Sequence, residues 1–157
     1  MRTKITLASR TILIVLLVVF IFQTVAGAKP SQTKFGDMQK VITKYQSKNT
    51  TLGTNQTLKR LYKINPSLYE GAVVFAPNST MDANEMLLVK LKDKSQGEQV
   101  KALIEARKKT QLNTFKGYGT IQTDLLNKSI IDVQPNYVLY VVGENAQKAD
   151  EAFRKAL

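Results

Sequence analysis

From Thr11 to Phe22 the chain is almost unbroken Ile, Leu, Val and Phe, and the weakly polar stretch continues to Ala28. A segment of about 18 residues with no polar face cannot lie on the surface of a globular domain, and its length is near what a helix needs to cross a bilayer. Arg2, Lys4 and Arg10 lie before it or at its start. Positive charge on that side predicts an N-terminus inside and the rest of the chain outside. Ala26-Gly27-Ala28 has the A-x-A form of a signal peptidase site, which would make residues 1–28 a cleaved signal peptide. The core is longer and more apolar than an ordinary signal core, which favours an uncleaved anchor. The expected protein is therefore single-pass with its C-terminal domain outside, or secreted if Ala26 and Ala28 mark a cut. No Cys follows the apolar core, so a lipid-modified N-terminus is excluded.

Residues 29–34 read as a polar juxtamembrane linker, and 35–157 as one extracytoplasmic domain of a size that supports a single core. The chain's 23 basic residues include the three in or before the leader. That leaves 20 against 12 acidic residues, a net charge of +8 on the exported part. Such a charge suits anionic lipid, an acidic wall polymer or nucleic acid, but a solvated basic surface accounts for it equally well. With no Cys and no His, disulfides, thiol nucleophiles, imidazole catalysis and the usual zinc sites are excluded. No cofactor is expected.

Phe35, Met38, Val41, Ile42 and Tyr45 fall at helical spacing, and Leu58, Leu61 and Tyr62 suggest a second helix ending before Pro66. Asn49–Asn55 reads as a loop. Ala72–Ala76 and Met86–Lys92 read as strands. In the second, Leu87, Val89 and Leu91 alternate with Lys90 and Lys92, which predicts a sheet with one wet face. Ser95 and Glu98 have capping-box spacing ahead of a long helix whose apolar stripe is Val100, Leu103, Ile104, Leu112 and Phe115. A short helical turn at Thr120–Asn127 follows. Ser129–Val133 and Tyr137–Val142 flank Gln134-Pro135-Asn136 as a hairpin, before a last helix. The expected fold is α+β: a mainly antiparallel sheet of about four strands with helices packed on one face.

Motifs that carry chemistry are weak. Ser31-Gln-Thr-Lys34 matches the S-x-x-K of penicillin-binding enzymes, but it lies in the linker and no K-T-G or S-D-N follows. Lys116-Gly-Tyr-Gly119 opens like an RNA-recognition strand, yet the later stacking positions are Thr120 and Thr123. Asp82 with Glu85, and Glu98 with Glu105, are the nearest acidic groupings, and both read as solvated surface. Lys94, Lys101, Arg107, Lys108 and Lys109 are the candidate contacts for an anionic surface.

Leu61–Gly71, Met81–Lys90, Phe115–Gly119 continuing to Leu125–Asn127, and Asn136–Leu139 together resemble an uncharacterised family of Firmicutes envelope proteins, catalogued only as a domain of unknown function. The resemblance runs from about Leu58 to the C-terminus. It implies a Gram-positive cell surface and a single domain, and it brings no activity and no site residues. The chain departs from lipoprotein members of that group by lacking a leader Cys. The reading is a non-enzymatic binding or regulatory module at the envelope, tethered to the membrane by its N-terminal helix. Its partner would be an envelope protein or an anionic wall polymer, and export disfavours nucleic acid. The alternative is a wall hydrolase using carboxylates or a Ser/Lys pair.

Overall fold

A computed structural model describes residues 29–157. The expected leader helix and the Ala26/Ala28 site lie outside the described residues. Among those described, no helix is long and apolar enough to cross a membrane.

The chain order is α1 (Phe35–Thr43), β1 (Thr50–Leu52), α2 (Asn55–Tyr62), a 3₁₀ turn (Pro66–Leu68), β2 (Gly71–Pro77), β3 (Glu85–Lys90), α3 (Gln96–Phe115), α4 (Thr120–Asn127), β4 (Ile130–Val133), β5 (Tyr137–Val142) and α5 (Ala146–Ala156). The strands form one antiparallel sheet in the order β1-β2-β3-β5-β4. The expectation of about four strands missed β1. Only three residues long and at the edge, it lies within a stretch whose Asn, Thr and Gly read as loop.

The larger difference is that helices cover both faces. On one face Leu87, Val89, Val138, Tyr140 and Val142 pack with Leu58 and Tyr62 of α2, Val100, Ile104 and Phe115 of α3, and Leu126 of α4. On the other, Met86, Leu88, Leu139 and Val141 pack with Met38 and Ile42 of α1 and with Ala146, Ala149 and Phe153 of α5. The wet face inferred from Lys90 is therefore absent at the sheet's centre. Lys90 sits at the end of β3, where its ammonium bonds Glu70 Oε1 at 2.7 Å and lies 5.6 Å from the Tyr137 ring centroid. The stem is buried while the charge is paired near the rim.

Local chemistry sets the element ends. Thr54 and Thr57 form a reciprocal cap at the start of α2. Ser95 has helical dihedrals and makes no cap bond. At that end Gln96 Oε1 accepts from the Lys92 and Asp93 amides, and Asp93 Oδ1 accepts from the Ser95 amide. The β4–β5 hairpin forms as expected, with the Gln134 amide donating to Tyr137 O.

Residues 31–33 are fastened to this same end of the sheet. The Ser31 amide and carbonyl exchange hydrogen bonds with the Asn136 side chain, each 2.8 Å long. The Ser31 and Thr33 hydroxyls donate to Leu157 O and Ala156 O, and Tyr137 donates to Thr33 O. The N-terminal segment thus meets the domain at the β4–β5 turn.

Candidate functional site

Glu85 is the first residue of β3 and shares a sheet face with Leu87 and Val89, so the strand's own pleat aims it into the core. Its side chain has no exposed surface. An isolated charge there would be prohibitively costly, and four hydrogen bonds from three residues prevent that. Arg107 of α3 makes a forked contact, Nε to Oε1 at 3.3 Å and Nη2 to Oε2 at 2.7 Å. Tyr62 at the end of α2 donates to Oε1, and Gln111 Nε2 approaches Oε2 at 3.4 Å. Each oxygen thereby receives two donors, the arrangement a buried carboxylate needs.

Burial works against the Arg107 cation, but the hydrogen bonds and charge of Glu85 outweigh it and hold the guanidinium above its ordinary pKa. Tyr62 is pushed well above the usual phenol range, first by burial and then by the neighbouring carboxylate. Tyr140 packs edge-on to Tyr62 with ring centroids 6.3 Å apart and is raised too, again chiefly by burial. The Ser129 hydroxyl beside it donates to Leu126 O at 2.6 Å, and the Tyr140 hydroxyl has no hydrogen-bond partner within the described chain.

This group lies behind a cleft of about 830 Å³ at the end of the sheet where β1 and β3 begin and β2 and β5 finish. Its walls are residues 44–50 after α1, 79–86 leading into β3, 121–125 of α4, and 141–145 between β5 and α5. Two walls are tied together. Gly143 has φ +151°, and a Cβ there would lie 2.8 Å from Asn84 Oδ1. Asn84 in turn donates both its amide and its side-chain N–H to Asp82 Oδ1. Gln122 of α4 donates to Met81 O, joining the third wall.

The sequence-derived candidates scatter. Arg107, expected on the basic surface, is turned inward to Glu85, and Glu85, expected in a solvated turn, is fully buried. Lys94 and Lys109 are exposed, and Lys101 and Lys108 are half-buried. Of these four only Lys101 has an acidic partner, Glu98 at 3.8 Å. Glu98 and Glu105 are exposed and outside the cleft. The Ser31 hydroxyl is directed at a main-chain carbonyl, not at Lys34. Tyr118 stands 59% exposed at a helix corner, packed edge-on to Phe115.

A family model described as "Domain of unknown function (DUF4358)" matches residues 43–143. The chain belongs to this family. The DUF4358 match spans every strand, α2, α3 and α4, and so includes Glu85, Arg107, Tyr62 and Gln111. It stops short of α5 and takes in only the last residue of α1, the two helices that close the second face. No curated protein and no solved structure matches the chain.

The buried group was missed because each member looks ordinary alone. Its signal is positional. Arg107 and Gln111 follow Ile104 by three and seven residues and precede Phe115, so two polar residues occupy the buried stripe of α3. Glu85 has the parity of Leu87 and Val89. Complementary polar residues on two core faces mark a buried pair.

Proposed function

We propose that this DUF4358 protein is a non-enzymatic binding module of the cell envelope. Residues 1–28 would carry it to the outer side of the membrane, and the cleft at the sheet end would be its recognition surface. The observation that carries this reading is the cage around Glu85. The one buried carboxylate in the cleft wall has both oxygens doubly hydrogen-bonded, so its lone pairs are taken up within the domain and it serves to hold the walls in place. Asp82 is likewise engaged by Asn84. Glu144 is the remaining carboxylate of the wall, exposed and with no side-chain partner among the described residues, and a glycan hydrolase would need a second free carboxylate working with it.

The placement of residues 31–33 supports the same reading. Residues 31–33 join the domain at the β4–β5 turn, and β5 leads from that turn to the cleft over six residues, about 20 Å. A tether at Ser31 would leave the cleft facing away from the lipid.

The chain has no Cys, so one introduced thiol reports on location without background. Asn49→Cys on the cleft wall should react with a membrane-impermeant maleimide in intact cells. Labelling seen only after the membrane is breached would refute the outside placement.

A second contact has its own support. Lys101 and Lys108 are seven residues apart, hence about 10 Å apart on one flank of α3, with Lys94 just before the helix. Together with Lys109 they suit an anionic polymer. Such binding should weaken steeply with salt, and salt-independent binding would exclude it.

A further inference from the structure

The cleft differs in charge from the domain around it. The exported part carries +8. In the cleft wall, by contrast, Lys44 and Lys48 stand against Asp82 and Glu144, and Glu85 is matched by Arg107. A site for an anion would draw on the surplus positive charge, and this one does not.

The uncharged polar groups of the wall include five carboxamides: Gln46, Asn49, Asn84, Gln122 and Asn145. A carboxamide pairs a donor with an acceptor, the complement of a hydroxyl or an N-acetyl group, although Asn84 and Gln122 each already spend one N–H on Asp82 Oδ1 and Met81 O. Asn49 and Asn145 are exposed and their side chains make no hydrogen bond within the described chain, while Gln46 Oε1 is buried and unpartnered. Met81 and Ile121 stand 58% and 73% exposed at the rim, apolar surfaces for a ligand with C–H faces. The volume is within the range of about 300–1,000 Å³ typical of ligand sites.

We propose that this cleft binds a neutral glycan chain. Uncharged, dense in hydroxyls and amides, and apolar on its ring faces, a glycan meets each property of the wall. The inference rests on the cleft being the recognition surface of the proposed module.

The test uses the full chain in a phosphocholine detergent, which carries no sugar, titrated calorimetrically with a neutral N-acetylglucosamine tetrasaccharide. Saturable binding is expected, unchanged by added salt. Asn49→Ala and Asn145→Ala should each weaken it roughly tenfold, since each removes ligand hydrogen bonds and no internal one. Lys155→Glu on α5, exposed and outside the cleft, should leave it unchanged. Binding that both Asn variants retain in full would overturn the cleft as the sugar site. If no sugar binds but a photo-crosslinker at position 145 traps an envelope protein in intact cells, the glycan class falls and the cleft reading stands. If neither occurs, both fall.

Discussion

Replacing Arg107 with Met keeps most of the side-chain volume and removes the only cation that touches Glu85 among the described residues. The carboxylate would remain fully buried with Tyr62 and Gln111 alone. Breaking a buried pair in this way costs about 3–5 kcal/mol. A domain of this size is held by about 5–15 kcal/mol, so the loss is a large share of the total. At about 3–5 °C per kcal/mol, the melting temperature should fall by roughly 10–20 °C. Urea unfolding followed by far-UV circular dichroism measures the change, with an unaltered slope expected because the folded state is the same. The decisive comparison is the triple variant Glu85→Met, Arg107→Met, Tyr62→Phe. It removes the carboxylate, its cation and its phenol donor together, and should return to within about 1 kcal/mol of the parent, since apolar replacement of a whole buried pair is near neutral or better. A cost below about 1 kcal/mol for Arg107→Met would show that Glu85 does not need its cation and would refute the cage. A triple variant as unstable as the single one would refute the view that the unpaired charge is the cause.

Three further outcomes follow from the geometry. Gly143→Ala sets a Cβ against Asn84 Oδ1 at a φ of +151° and should cost about 1–3 kcal/mol in thermal unfolding; an unchanged melting temperature would sink the account of how the walls are joined. Burial pushes Tyr137 up to about 12, and Tyr62 and Tyr140 are raised as well, each chiefly by burial, so stability should hold below the unfolded phenol pKa of about 10 and be lost as pH climbs through the folded values. Absorbance of tyrosinate should show these three ionising late, and full ionisation near pH 10 with the fold intact would contradict it. Burial, and then the Asp150 carboxyl beside it, raises Asp132 above the usual carboxylate range, so its contribution is fully present below the unfolded pKa of about 4 and fades as pH rises through the folded value. Asp150→Asn should flatten that dependence in urea titrations across the acid range, and an unchanged profile would show that the two carboxyls are not coupled.

What the sequence reveals about the fold and what it conceals have the same origin. The hairpin around Pro135 and the long α3 are legible because each is a local pattern: a turn residue between two β-rich runs, or one apolar stripe at helical period. Coverage of the second face is not local. It depends on α1 and α5, the first and last helices of the domain, meeting across the sheet, and only Met38, Ile42, Ala149 and Phe153 together show where they go. Tyr137-Val-Leu-Tyr-Val-Val142 did hold the clue, since six consecutive buried residues fit a strand covered on both sides, whereas the lysine alternation that suggested a wet face occurs only where β3 runs out. The same logic applies to the cleft. Its carboxamides come from four separate segments, so no spacing rule gathers them, and the Glu85 cage that shapes it joins residues 22 to 26 positions apart. DUF4358 membership covers the cage and nearly all of the cleft but leaves α5 outside and barely reaches α1. The cleft, but for Glu144 and Asn145, and the polar group behind it therefore fall within the matched segment, while the helices near residues 31–33 fall almost wholly beyond it. If the cleft carries the family's function, changes at Glu85 or Arg107 should disturb both ligand binding and stability, whereas surface changes on α1 and α5 should leave binding intact.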